Sequence, residues 1–211
     1  RMLILGAAGG TSIKQFLFFS SEVEIDAVEI DPKVIDAGRK YFDLVDNERL
    51  KIYFEDARPF LNHIQRKYDI IEIDMFSGGP FVPFYLTTQE FFSMVFEKLN
   101  PKGIMLMNVL SVNEDRTLGI HIGNTIKTIF PSLFTVDLKG NTLLIAFKEK
   151  VSLKQVELKL KNNTDERINI LTTYALKNIK EFQPQNGYAV FTDNKAPVEK
   201  ITYDMVKNRY R

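Results

Sequence analysis

The chain has 211 residues, 45% of them hydrophobic, enough for one good-sized core or for a core with a small appendage. Its 28 basic and 27 acidic residues give a net charge of +1, so the composition offers no large electrostatic footprint for nucleic acid or an anionic membrane, and we expect neither as a partner. The absence of cysteine excludes disulfides, thiolate metal sites and a cysteine nucleophile, and it is compatible with the cytoplasmic location that we expect.

Predicted strands and helices alternate through about residue 136, the pattern of a parallel sheet with helices on both faces. The strands are predicted near 2–5, 23–29, 50–54, 69–74 and 103–108, and the helices near 11–20, 32–42, 57–67, 87–98 and 117–129. A strand at 141–147, after a turn signal at 139–141, forms a hairpin with a strand near 132–136. This outline resembles the Rossmann-like α/β fold of class I methyltransferases, a mostly parallel seven-stranded sheet with a terminal antiparallel hairpin.

The composition becomes more polar after residue 150. We predict a nucleoside-binding core at 1–150 and a helical extension at 151–211, packed on the same domain. Within the extension, apolar residues at helical spacing predict an amphipathic helix at 165–180 that packs on the sheet or on a partner. Pro197 is predicted to open a last helix.

The segment from Met2 to Thr11, MLILGAAGGT, sets an apolar strand directly against a glycine-rich bend. Glycines at 6, 9 and 10 let the chain turn sharply and bring its backbone close to a ligand. Glu29 follows 23 residues after Gly6, at the end of the second strand, where a carboxylate suits the paired hydroxyls of a ribose. Asp31 is more typical of a helix cap.

Further acids fall at or near strand ends, where open α/β sheets bind ligands. Asp56 has two compatible roles, because it can accept from an adenine amino group, with the N–H of Ala57 at the ring, or cap the following helix. Asp74 ends strand four beside a glycine-rich loop that contains Ser77, and is well placed to orient or deprotonate a nucleophile. Glu72 interrupts the same apolar strand; it either reaches a partner or water, or is a second functional carboxylate.

A run of motifs along most of the chain carries a family resemblance. They are GAAGGTS, AVEID, FEDARPF, the Asp74 loop, LTTQEFFSMVFEKLNPKGIMLMNV and the late TDNKAPVE. In order and spacing they resemble the spermidine synthase-like family, within the class I S-adenosylmethionine-dependent methyltransferase superfamily. The resemblance implies a nucleoside-sulfonium pocket and makes a homodimer plausible. The implied donor-site residues are Gly6, Ala7, Gly9 and Gly10 under the amino-acid-like tail, Glu29 and Ile30 at the ribose, Asp56 and Ala57 at the adenine, and Asp74 facing the transferred group.

The chain departs from true aminopropyltransferases at two acids. Those enzymes carry an aspartate in the glycine bend, where this chain has Gly9, and another where it has Ser77. The lost negative charge weakens the case for polyamine binding. The family's amino-terminal β-hairpin region, which helps form the amine site, is missing, and we expect that an N-terminal part of the natural protein is absent.

We therefore predict a sulfonium-dependent transferase that acts on a small-molecule nucleoside donor and an amine or protein acceptor. Methyl transfer from S-adenosylmethionine is favoured over aminopropyl transfer from decarboxylated S-adenosylmethionine, with Asp74 as the catalytic residue. No metal is expected, since neither histidine has a ligand partner at helical spacing. A catalytically silent nucleoside-binding module stays open, as does an NAD-dependent enzyme, although the bend lacks a clean GxGxxG.

Overall fold

The computed structural model describes residues 1–76 and 81–208, and Ser77 therefore lies outside the described residues. Its strands are β1 (Met2–Leu5), β2 (Ile25–Val28), β3 (Leu50–Tyr53), β4 (Tyr68–Ile73), β5 (Leu99–Leu110), β6 (Ser132–Leu138), β7 (Asn141–Phe147) and β8 (Ile179–Glu181). They form one sheet in the order β3-β2-β1-β4-β5-β7-β6-β8 within the described ranges. β1 to β5 pair in parallel, whereas β7 runs antiparallel to β5 and β6. The predicted fold class is confirmed, and β8 adds an eighth strand that the sequence did not predict.

The helices begin and end close to the predicted positions in the first two thirds of the chain. They are α1 (Thr11–Phe19), α2 (Pro32–Tyr41), α3 (Ala57–His63), α4 (Gln89–Lys98), α5 (Thr117–Lys127), α6 (Leu153–Lys161), α7 (Asn169–Asn178) and α8 (Val198–Asn208). α3 is shorter than predicted, because Ile64 adopts an extended conformation that leads the chain towards β4. α6 was not predicted, although a capping box of Ser152 and Gln155 marks its start.

The predicted helix at 165–180 is a 3-10 turn followed by α7 and β8. Its apolar residues divide between two environments. Ile168 and Ala175 line a groove against the sheet, whereas Leu171 and Tyr174 are exposed. The proposed boundary at residue 150 stays a prediction, but Phe191 and Met205 lie in the main core. No helix in the described part of the chain is both long and apolar enough to span a membrane.

The two faces of the sheet are covered differently. On one face, α3, α4, α5 and α8 bury the inward side chains of β4 and of the second half of β5. On the other face, α1 and α2 cover β1 and β2, while α6 covers β6 and β7. Between these two covered areas, alternate residues of the central strands stay partly exposed, and we call them the open strip. The open strip consists of Ile70, Glu72 and Asp74 with Ile104, Leu106 and Asn108.

The register of the central strands brings three predicted site residues to one edge of the sheet. Leu5 closes β1 and pairs with the last residues of both β2 and β4. The next residue of each strand, Gly6, Glu29 and Asp74, therefore lies at the same carboxyl edge. The strand order reverses between β1 and β4, which is where open α/β sheets bind ligands.

Candidate active site

A cavity of about 450 Å³ lies at this carboxyl edge, a size within the range of small-molecule sites. The predicted site residues that line it are Gly6, Glu29, Ile30, Asp56, Ala57 and Asp74. Ala7, Gly9 and Gly10 do not line it. Ala7 is buried in the core and Gly10 packs against Leu44, while Ala8 reaches the cavity in their place.

The glycine turn is held against the end of β4. Gly6 has a φ of +89°, and a Cβ at this position would clash with the backbone carbonyl oxygen of Asp74. The backbone N–H of Asp74 in turn donates to the carbonyl oxygen of Leu5 (3.0 Å). A glycine is therefore required where the cavity floor joins β1 to β4.

Glu29 is fixed by backbone donors on both carboxylate oxygens. The N–H of Ala8 donates to Oε2 (3.1 Å), and the N–H of Asp31 donates to Oε1 (3.2 Å). Each oxygen keeps a free lone pair for a further donor, and the side chain is only partly buried. The carboxylate thus lies beside the glycine turn and is able to accept from the two hydroxyls of a ribose.

Asp56 caps α3, which confirms one of its two predicted roles. The N–H of Arg58 donates to Oδ1 (2.8 Å), and the hydroxyl of Tyr85 donates to Oδ2 (2.7 Å). Burial, and then the hydrogen bond to Asp56, raises the pKa of Tyr85 to about 12, so the hydroxyl stays protonated at neutral pH. The adenine role of Asp56 and Ala57 stays a prediction. Tyr85 also lines the cavity, at the end where Asp56 lies.

Asp74 is oriented by a chain of amide side chains. Asn108 Nδ2 donates to Asp74 Oδ1 (3.0 Å), and Asn141 Nδ2 donates to Asn108 Oδ1 (2.6 Å). Asn108 lies on β5, the strand next to β4, and also lines the cavity. Sequence reasoning missed it, although a lone asparagine in the apolar strand MLMNVL is a usable signal. The arrangement aims a partly exposed carboxylate into the cavity, as a proton acceptor requires.

The late TDNKAPVE motif is tied to the wall of the cavity. Arg58 donates to Asp193 Oδ1 (2.9 Å) and to the carbonyl oxygen of Tyr85 (3.0 Å), and it forms an ion pair with Asp193 Oδ2. The hydroxyl of Thr88 also donates to Asp193 (2.7 Å). The hydrogen bond from Arg58 lowers the pKa of Asp193. We call this set the Arg58–Asp193 clamp; it braces the wall that carries Asp56 and Tyr85.

Replacing the carboxylate of the clamp, Asp193→Asn, is expected to lower the free energy of unfolding, because the ion pair with Arg58 is lost. The loss should be only about 1 kcal/mol, since this ion pair is partly exposed to solvent. Asp193 has a lowered pKa in the folded protein, so its contribution is present above its ordinary pKa of 3.8 and is lost as the pH falls through the folded value. Urea unfolding at pH 7 and at pH 3 measures both effects.

The control is Asp204→Asn, which removes an exposed carboxylate paired with Lys200. It is expected to change stability by a few tenths of a kcal/mol at most. Equal losses in the two variants would contradict a bracing role for the clamp.

Within residues 1–76 and 81–208, no group of three or more histidine or acidic side chains is arranged to hold a metal ion. The site consists instead of two carboxylates that accept from backbone N–H groups, Glu29 and Asp56, and one, Asp74, that accepts from the amide of Asn108. The glycine turn lies beside them. Together with the fold, the site defines a doubly wound α/β protein with a cavity of small-molecule size at the switch point of its sheet.

The chain belongs to the spermine/spermidine synthase domain family, whose model matches residues 1–144. It is 30% identical over 215 residues to a probable polyamine aminopropyl transferase of Bifidobacterium longum, covering 93% of this chain and 48% of that protein. It is 34% identical over 137 residues to the polyamine aminopropyltransferase of Alkaliphilus metalliredigens, covering 62% of this chain and 48% of the relative. The chain spans about half the length of these curated relatives.

Solved structures show the same fold. A probable spermidine synthase from Corynebacterium glutamicum matches with a TM-score of 0.72 at 20% identity, covering 93% of this chain and 73% of that one. A spermidine synthase in complex with the transition state analogue AdoDATO matches with a TM-score of 0.65 at 22% identity, covering 78% and 60%. Human methyltransferase-like protein 13 in complex with SAH gives 0.63 at 22% identity, covering 83% and 79%. The predicted family resemblance is confirmed.

Proposed function

We propose that this chain carries the donor-binding and catalytic part of an aminopropyltransferase, which moves the aminopropyl group of decarboxylated S-adenosylmethionine to an amine. The proposal depends on one observation, the single cavity that Glu29, Asp56 and Asp74 line together beside the glycine turn. The names of the curated relatives support aminopropyl transfer over the methyl transfer that the sequence favoured. Family membership gives no support to the NAD-dependent alternative.

The binding residues act by holding the donor in one orientation. Glu29 accepts from the ribose hydroxyls, and Asp56 with the N–H of Ala57 faces the adenine. Tyr85 packs at the adenine end, where its hydrogen bond to Asp56 fixes both side chains. Such orientation supplies several kcal/mol of a displacement barrier, since the reacting atoms are held in line before the reaction.

Asp74 acts on the acceptor. The amine nitrogen forms a bond to the carbon beside the sulfonium as the carbon–sulfur bond breaks, and the electron pair of that bond stays on sulfur. The new ammonium gives its extra proton to Asp74, which Asn108 keeps oriented. Loss of positive charge at sulfur drives the step, so the protein needs only to align the partners and accept one proton.

A donor titration tests the proposal. The purified chain is titrated calorimetrically with decarboxylated S-adenosylmethionine, S-adenosylmethionine and S-adenosylhomocysteine, and is then incubated with small amines. We expect the decarboxylated donor to bind at least tenfold more tightly than S-adenosylmethionine, and acceptor masses to rise by one aminopropyl group. Preference for S-adenosylmethionine with gain of a methyl group would overturn this ranking.

Methyl transfer is the second candidate, and Gly9 is the observation that favours it, because no acid stands in the bend. A silent nucleoside-binding module would bind a donor without turnover, and Asp74→Asn would leave that binding unchanged. The amine or protein acceptor and a homodimeric state both stay proposals.

A further inference from the structure

Glu72 is a charged residue in the middle of an apolar central strand. The hydroxyl of Ser12 donates to its Oε1 (2.7 Å), whereas Oε2 is buried and accepts no hydrogen bond from any described residue. An unpaired buried carboxylate oxygen lowers stability, and in a native structure it calls for a functional explanation. The function described so far makes no use of Glu72.

The position of Glu72 relates it to the donor cavity. It precedes Asp74 by two residues and shares its face of β4, about 6.6 Å further down the strand. Its partner Ser12 lies in the first turn of α1, directly after the glycine turn. Glu29 is anchored to that same turn through Ala8. Neither Ser12 nor Glu72 lines the cavity itself. A donor tail that continued from the Asp74 end of the cavity along the glycine turn would meet the Ser12–Glu72 pair.

The charge of Glu72 suits one kind of donor tail. The N–H groups at the start of a helix ordinarily favour a carboxylate, and S-adenosylmethionine carries one. A partly buried carboxylate beside the start of α1 reverses that preference, because it repels a second carboxylate and attracts an ammonium. The decarboxylated donor ends in an ammonium alone. The bend itself supplies no acid, since position 9 is glycine.

We infer that Glu72, held by Ser12, accepts the tail ammonium of the donor and selects decarboxylated S-adenosylmethionine against the donor that keeps its carboxylate. This assigns a specificity residue to β4 in place of an acid in the glycine bend, and it rests on the proposed function.

Calorimetric titration of Glu72→Gln and Glu72→Leu tests the assignment with matched probes. We expect the Kd of decarboxylated S-adenosylmethionine to rise at least tenfold, because a hydrogen bond to a charged group is lost. The Kd of 5′-deoxy-5′-methylthioadenosine, which has the nucleoside but no tail amine, is expected to stay within twofold. Glu97→Gln, an exposed acid on α4 across the sheet, is the charge-matched control and should leave both values unchanged.

The outcomes separate this inference from the proposed function. Variants that bind the decarboxylated donor as the unaltered chain does would overturn the inference alone. An equal loss of affinity for both probes would assign Glu72 a structural role and overturn it as well. An unaltered chain that binds no sulfonium donor would overturn the proposed function itself.

A stability measurement supplies a second readout. Burial, reinforced by Asp74, raises the pKa of Glu72 despite the hydrogen bond from Ser12. The stability that Glu72 contributes is therefore lost as the pH rises from its ordinary value of 4.5 through the raised value. Glu72→Gln is expected to raise Tm at pH 7 and to leave it unchanged below pH 4.5. A lower Tm in both variants at pH 7 would mark Glu72 as structural and overturn the inference.

Discussion

Asp74→Asn is expected to lower kcat by roughly 10²- to 10⁴-fold, the usual contribution of a positioned proton acceptor. The replacement keeps the size of the side chain and an oxygen that accepts from Asn108, so the cavity should keep its shape. The Kd of the nucleoside donor should therefore change by less than threefold. Single-turnover rates with a saturating donor and a small amine measure the effect without a contribution from product release.

Asp69→Asn is the matched control for this prediction. Asp69 lies on the same strand, but it is exposed and accepts a hydrogen bond from Asn100, away from the cavity. Its replacement should leave kcat unchanged. If Asp74→Asn turned over at the unaltered rate, the proton would leave by another route and Asp74 would lose its catalytic role.

Glu29→Ala is expected to have the largest effect on donor binding. Loss of a charged acceptor for the ribose hydroxyls costs about 1.5–3 kcal/mol, which raises the Kd roughly 10- to 150-fold. Calorimetry with the intact donor and with its 2′-deoxy analogue separates this loss from a change in the glycine turn, to which Glu29 is also bonded. The analogue should bind the unaltered chain weakly and should bind Glu29→Ala about as well as the intact donor does.

If removal of the 2′-hydroxyl weakens binding to the unaltered chain but not to Glu29→Ala, Glu29 and this hydroxyl are in direct contact. If the 2′-hydroxyl contributed the same free energy in both proteins, Glu29 would act only by shaping the turn. Glu29→Gln keeps a carbonyl oxygen for one backbone N–H and should give an intermediate Kd.

The sequence predicted the parts of the site that are set by strand ends. Gly6, Glu29 and Asp74 each follow an apolar strand, and parallel pairing brings such positions to one edge whatever the details of packing. The cap role of Asp56 was likewise local, because the acceptor lies two residues from its donor. Local rules of this kind need only the residues within one turn or one strand.

The contacts that complete the site join distant parts of the chain. Tyr85 is 29 residues from Asp56, and Asp193 is 135 residues from Arg58. No periodic pattern in the sequence indicates contacts between residues so far apart in the chain.

The sequence favoured methyl transfer for a related reason. That prediction considered only the two aspartates that are absent, at Gly9 and Ser77, and not an acid elsewhere in the sheet. A substitute acid on a neighbouring strand, as we infer for Glu72, is visible only once the sheet is assembled.

The short strand β8 and helix α6 were missed for different reasons. β8 spans Ile179–Glu181 and has only one buried residue, so it gives no strand pattern of its own. The start signal of α6 was present, but Val156 is its single buried residue, and Leu153 and Leu160 are only partly buried. Packing against β6 and β7 decides that both elements form.

The Arg58–Asp193 clamp has a consequence for synthesis on the ribosome. Every strand end that lines the cavity has been synthesised by the time Asn108 is made, but the carboxylate that braces Arg58 follows 85 residues after Asn108. A nascent chain therefore acquires these strand ends well before the residue that braces the cavity wall. We expect a growing polypeptide to bind a ligand in this cavity firmly only after Asp193 has paired with Arg58.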